Sequence, residues 1–158
     1  MSITYRKATS ADISLLAETR VIFINEMIKM QDDEKHMLYS SCEEYFVTAM
    51  KDNSFASFLA FDGELLAATS GICFYRIPPV IHRGDINDGF VAYIQNMYTY
   101  PNYRKKGIAT KLFKMTVEEA KIRGYRTLKL HATDMGRPIY EKFGFTDSKN
   151  DMEIYLEG

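Results

Sequence analysis

Between Val91 and Ala120 a β-branched and aromatic run ends at Pro101, and a short basic turn follows it, Arg104-Lys105-Lys106-Gly107-Ile108-Ala109. Helical periodicity begins directly beyond. A strand that hands a glycine-containing basic turn to a helix N-terminus builds an anion site. Several backbone N–H groups there point one way without intrahelical partners, and the helix dipole adds partial positive charge. Gly107 lacks a Cβ, so a phosphate can approach the backbone closely. The amides from Lys105 to Thr110, Ile108 and Ala109 included, are the expected cradle, with the Arg104, Lys105 and Lys106 side chains supplying positive field. Taken alone, Arg-Lys-Lys would be a solvated turn that caps a helix. The turn contains neither G-x-x-x-x-G-K-[ST] nor G-x-G-x-x-G, so the triphosphatase phosphate loop and the dinucleotide fingerprint are both set aside.

The pattern that is present, R-x-x-G-x-A, resembles the pyrophosphate loop of the GCN5-related N-acetyltransferases, [QR]-x-x-G-x-[GA]. The likeness continues upstream through Met97-Tyr98-Thr99 and downstream through HATDMGRPIYEKFGF, His131 to Phe145, which is similar to that family's closing motif. The opening ITYRKATSADI resembles its first strand and helix start, so the match covers most of the chain in order. The resemblance implies an acetyl-CoA-dependent N-acetyltransferase that acts by direct attack of a primary amine within a ternary complex. It implies that the Met97 and Thr99 main chains pair with the pantetheine arm, and that the Met97 N–H polarises the thioester carbonyl. Tyr98 lies between them on the same cofactor strand.

By the same resemblance Tyr140 occupies the place of a tyrosine that protonates the leaving thiolate, chemistry a phenol within hydrogen-bond reach can perform. An aromatic residue on a short helix also serves simply as packing. Thr133 and Gly136 stand where many relatives carry Asn and Ala, and Arg137 could take over contact with the cofactor. Some relatives place a Glu base where Tyr93 falls here. Substitutes are Glu26 near the end of the first helix, His131, Asp85, Asp88, or a water held by Gln95. Cys73 is a poor nucleophile, lying in an alternating strand with no His nearby in sequence.

The acceptor cleft should involve the first two helices and the Pro78–Gly89 loop. Asp32, Asp33, Glu34, Asp85 and Asp88 suit a cationic amine, whereas His82 and Arg83 suit an acceptor bearing a carboxylate, and the sequence does not choose. O-acyl transfer, a longer acyl chain, and a silent acyl-CoA-binding sensor or interaction module are the rival readings.

The elements that must position these groups follow from pattern. Ile3 to Lys7 reads as a strand. Thr9 and Ser10 then precede a helix whose inward run is Ile13, Leu16, Ala17, Arg20, Ile24, Met27 and Ile28. Ser41-Cys42-Glu43-Glu44 has capping-box spacing and predicts the start of a shorter helix. Ser54 to Phe61 and Glu64 to Tyr75 read as strands joined at Asp62-Gly63. Pro78 to Gly89 has loop chemistry, and Val91 to Thr99 is the next strand. A helix from about Gly107 to Arg123 stops at Gly124. Thr127 to Ala132 forms a strand, Arg137 to Phe143 a helix, and Asp151 to Leu156 a last strand. The fold class is α/β: a mixed, mostly antiparallel sheet with flanking helices and, by resemblance, a splayed parallel strand pair at the cofactor. Residues 1–158 are read as one domain.

Composition agrees with a folded, soluble protein. With 158 residues, 46% of them hydrophobic and 26% charged, the chain can bury a proper core. A net charge of −1, with no basic stripe beyond Arg104–Lys106, argues against nucleic acid as a partner. No apolar run is long enough to cross a bilayer. Cys42 and Cys73 are too isolated for a disulfide framework or a zinc site, so no metal is expected and both read as buried thiols of a cytoplasmic protein. Exposed Tyr, Met and Phe could form a homodimer face, and oligomeric state stays open.

Overall fold

The computed structural model describes residues 1–148 and 150–158. Strand β1 (Ile3–Lys7) leads through a 3-10 turn to helix α1 (Ile13–Met27), and α2 (Asp32–Lys51) follows. Next come β2 (Phe55–Asp62), β3 (Leu65–Arg76), a small hairpin of β4 (Val80–His82) and β5 (Asp85–Asn87), and β6 (Phe90–Thr99). Helix α3 (Ile108–Ile122), β7 (Thr127–Leu130) and α4 (Arg137–Phe143) complete the order. The main sheet runs β1-β2-β3-β6-β7; every neighbouring pair is antiparallel except the parallel β6–β7.

Layers cover both faces of this sheet, which explains why β2 is buried at every position from Phe55 to Ala60 rather than at alternate ones. Its Phe55 and Leu59 pack with Leu16 and Ala17 of α1 and Phe46 and Ala49 of α2. Its Phe58 and Ala60 pack on the other side with Ile108 and Leu112 of α3. The α3 stripe of Ile108, Leu112, Phe113, Thr116, Val117 and Ala120 is buried throughout, matching a helix with one face on a sheet. Burying Phe113 and Leu112 completely contributes about 1.5–3 kcal/mol for each side chain.

Two features of β6 set the site. First, Thr69 faces Tyr98 and Gly71 faces Gln95, so Asn96 and Met97 together oppose Ser70 in a bulge. Asn96 carries the positive φ of 58° that such a bulge needs. Second, β7 pairs with β6 only from Val91–Thr127 to Ile94–Leu130. From Gln95 to Thr99 the β6 edge on that side has no strand beside it among the described residues.

Some expectations need correction. Ser41 does not start a helix: α2 is continuous from Asp32 to Lys51, and its N-terminal box lies at Gln31, whose N–H donates to the Glu34 carboxylate at 2.7 Å. Capping-box spacing also arises by chance inside a helix, and packing of Phe46 and Ala49 on β2 holds the whole length together. The Pro78–Gly89 stretch is not irregular throughout but holds the β4–β5 hairpin. Asp151–Leu156 forms no strand: Met152, Ile154 and Leu156 are exposed, and alternation without a paired neighbour does not make a strand. Cys42 and Cys73 are half-buried rather than fully enclosed.

Candidate active site

Four cavities adjoin one another along β6. The first, about 350 Å³, lies at the N-terminus of α3 and is lined by Arg104, Lys105, Gly107, Ala109 and Thr110. The second, about 240 Å³, shares Thr99, Arg104 and Ala109 with it and adds Met97, Tyr98, Glu26 and Tyr140. Met97, Thr133 and Tyr140 also line the third, about 270 Å³, together with Tyr93, Gln95 and His131. The fourth, about 320 Å³, shares Arg20, Gln95 and Asn96 with the third and opens between α1 and α2. A groove thus runs from a helix N-terminus, along the unpaired edge of β6, to a chamber under the first two helices.

The anion end is built by local backbone chemistry. Lys105 and Gly107 take positive φ values of 59° and 77°, and Gly107 is the N-cap of α3. Its ideal Cβ position meets nothing within 4 Å, so the space beside it is open. The first intrahelical bond is from Lys111 N–H to the Gly107 carbonyl at 3.2 Å, which leaves the Ile108, Ala109 and Thr110 amides without helical acceptors. The Ile108 side chain is buried in the core, so only its backbone can serve a ligand. Lys106 turns back to donate to the Asn102 carbonyl at 2.9 Å and lines none of these four cavities.

Arg104 is braced rather than free. Its Nε donates to the Thr99 carbonyl at 2.8 Å, and its Nη2 pairs with Glu26 at 3.0 Å. Tyr98 also donates its hydroxyl to Glu26, at 2.5 Å. That hydrogen bond, helped by Arg104, holds the Glu26 carboxyl below its usual range. Burial, reinforced by Glu26, pushes the Tyr98 phenol up to about 12. Glu26 is therefore an ionised brace between α1 and the anion turn, a poor arrangement for accepting a proton.

Tyr140 stands where the second and third cavities meet. It is buried against Phe113, with ring centroids 5.1 Å apart. Burial raises its phenol above the ordinary value, so the hydroxyl keeps its proton at neutral pH. Gly136 sits beneath this ring: a Cβ there would lie 2.8 Å from a ring carbon and 2.9 Å from the hydroxyl. Thr133 Oγ1 accepts the Gly136 N–H at 3.2 Å and helps close the turn into α4. Arg137 is directed elsewhere, to Asp147 at 3.0 Å and Glu141 at 3.4 Å, and lines none of the four cavities.

Of the alternative bases, His131 lies in the chamber with Tyr140, its ring 5.5 Å from that of Tyr93. His82 and Asp85 line a separate cavity beside Val91 and Thr127. Val91 is six residues from Met97 along β6, a separation of roughly 20 Å for a strand. The Pro78–Gly89 stretch is thus not brought to this groove, which corrects the expectation that it walls the acceptor cleft. Cys73 Sγ lies 2.9 Å from the Tyr45 hydroxyl and accepts from Gln95 Nε2 at 2.8 Å, a contact that orients Gln95. Arg20 and Asn96 were not singled out in the sequence as site residues. A cation on the apolar stripe of α1 was the available signal for Arg20; a buried bulge asparagine has none.

Among the described residues no helix is long and apolar enough to cross a membrane, and no group of three or more His, Cys, Asp or Glu could hold a metal. The sequence model of the acetyltransferase (GNAT) family matches residues 20–145. A predicted acetyltransferase from Clostridium acetobutylicum, solved with acetyl-CoA, is 35% identical, with a TM-score of 0.85 over 98% of this chain and 97% of that one. A GCN5-related N-acetyltransferase from Ralstonia eutropha, 22% identical, shares the fold with a TM-score of 0.86 over 99% and 100% of the two chains. Glucosamine-6-phosphate N-acetyltransferase from Arabidopsis thaliana does so at 16% identity and a TM-score of 0.69, over 99% and 100%. A search of curated proteins gave no match. The family match spans both the anion turn and the Tyr140 helix, and this chain belongs to the GNAT acetyltransferase family.

Proposed function

We propose that the protein transfers an acetyl group from acetyl-CoA to a primary amine, by direct attack within a ternary complex. One observation carries this reading: the unpaired β6 edge from Gln95 to Thr99 joins the open amides of α3 to the buried Tyr140 phenol. An amide-rich pantetheine arm fits such an edge as an added strand, and a pyrophosphate fits the helix N-terminus at Gly107. Arg104 and Lys105 line that end, so the charge sign is right.

In this arrangement the amine nitrogen forms a bond to the thioester carbonyl carbon and the carbon–sulfur bond breaks. The Met97 N–H faces the charge that develops on the carbonyl oxygen. Tyr140 gives its proton to the departing sulfur and regains one from solvent. Among the third cavity's lining residues there is no carboxylate, so His131, directly or through water, takes the amine proton.

Calorimetric titration with acetyl-CoA, then with free CoA, is the decisive first test, followed by an amine panel. Saturable one-site binding and acetylation of an amine are expected, together with a Tm rise on adding acetyl-CoA but not NAD. Folded protein that binds neither acetyl-CoA nor CoA would overturn the reading. Binding without any turnover would instead favour an acyl-CoA sensor.

A further inference from the structure

The chamber beyond Tyr140 has an electrostatic character that α1 and α2 create together. Arg20 lies on the inward stripe of α1, half-buried, and lines both the third and the fourth cavities. Its guanidinium makes no hydrogen bond or ion pair among the described residues, whereas Arg6, Arg104 and Arg123 are each paired with a carboxylate. It rests 5.7 Å from the centroid of the Phe23 ring. No Asp or Glu lines either cavity; beside Arg20 the polar lining consists of His131, tyrosine hydroxyls, Cys42, and the hydroxyl and amide groups of Ser41, Gln95, Asn96 and Thr133. Asn96, only 3% exposed, has neither its side-chain nitrogen nor its oxygen paired among the described residues. The floor where the two cavities meet therefore has one uncompensated cation and an unmet demand for hydrogen bonds. A buried polar group without a partner is costly, and a half-buried cation without a counter-charge favours an anionic ligand.

On the reading that the protein is an amine acetyltransferase, we propose that its acceptor carries an anionic group, a carboxylate or a phosphate monoester, which docks on Arg20. A guanidinium fork binds either group through two parallel hydrogen bonds. With the anion held there, the amine end extends past Gln95 toward Met97 and Tyr140. The same positive charge favours the neutral form of the incoming amine, the form that can attack. Diamines and other polycations meet a like charge there and are disfavoured. The exposed acidic residues at the start of α2, Asp32, Asp33 and Glu34, line neither cavity and do not reverse this balance.

The test is a matched acceptor panel with acetyl-CoA held saturating: amino acids and dipeptides, their C-terminal amides, phosphoethanolamine, and putrescine. An anionic acceptor should exceed its amide counterpart by at least ~10-fold in kcat/KM, because a half-buried guanidinium beside an unpaired buried amide rewards the partner that can bond both. Whether amino acids or phosphoethanolamine leads identifies the anion. Arg20→Gln should raise KM for the anionic acceptor ~10-fold or more, with a smaller change in kcat, and collapse the carboxylate-over-amide ratio toward one. Arg20→Lys should recover part of the preference, and its Tm guards against misfolding. Equal use of acid and amide, preference for putrescine, or an unchanged ratio in Arg20→Gln would overturn the proposal while leaving amine acetylation intact. Failure to bind acetyl-CoA would remove the underlying reading and this one with it.

Discussion

The two halves of β6 have the same backbone and opposite tasks. From Val91 to Ile94 the strand is paired on both sides, with β3 and with β7, and Val91, Ala92 and Ile94 are buried. From Gln95 to Thr99 it keeps β3 but has no β7 partner, and Asn96 kinks it with a bulge. Full pairing satisfies every backbone group and makes a core. Removing one partner leaves donors and acceptors free for water or for a ligand. The proposed site thus depends on where one strand, β7, ends, at Leu130, more than on special residues.

Changes around the open half should alter ligand handling most, whereas changes to the core-facing residues of the paired half should act mainly on stability, although Tyr93 and Ile94 also reach the third cavity. The largest effect is expected from Gly107→Glu. It puts a carboxylate where a pyrophosphate would lie, and acetyl-CoA affinity should fall by ~100-fold or more. Some strain at a φ of 77° accompanies it. Gly107→Ala shares that strain without the charge, so equal losses in the two, measured by calorimetry, would break the anion-site half of the contrast.

Tyr140→Phe comes next: kcat should drop ~10²-fold with acetyl-CoA affinity nearly kept, as expected for removal of a proton donor. Since burial raises the Tyr140 phenol above the ordinary tyrosine value of 10.0, the wild-type rate should not lose this acid until pH rises above that value. An alkaline limb due to Tyr140 must vanish in the Phe variant. A wild-type rate in that variant would return Tyr140 to packing.

Gly136→Ala is subtler. The added methyl displaces the Tyr140 ring that it would meet at 2.8 Å, and turnover should fall ~10-fold with little change in Tm. An unchanged kcat would mean that the phenol's position is not critical. Ile94→Val, on the paired half, should be the mildest, costing about 0.5–1.5 kcal/mol in urea unfolding at an unchanged slope. If it weakened acetyl-CoA binding per folded molecule as well, the two halves would not be separable.

Much of this was legible in the chain because it is local. The turn at Arg104–Ala109 combines glycine conformation with a helix N-terminus, both readable over a few residues, and the structure places Gly107 as N-cap. The α4 boundaries, Arg137 to Phe143 with Gly144 beyond, follow from the same kind of signal. The misjudged elements depended on distant partners. Ser41-x-x-Glu44 has cap spacing, yet Phe46 and Ala49 pack on β2 along one continuous helix. Asp151–Leu156 alternates as a strand should, but no strand lies against it.

The site divides along the same line. The anion turn at Gly107 was marked by its own residues, whereas Met97 and Tyr140 were marked by resemblance to a family whose short motifs they match. Spacing could not show that Glu26 would be tied by Arg104 and Tyr98, residues more than seventy positions away. Nor could it show that Arg20 would stand without a carboxylate beside the buried Asn96. The sequence by itself determined the turn and helix start proposed to hold an anion, since φ angles, caps and helix dipoles act within a few residues. Only the tertiary structure decided the charge and shape of the chamber beyond it, because pairing, burial and desolvation depend on which distant side chains arrive at the same place.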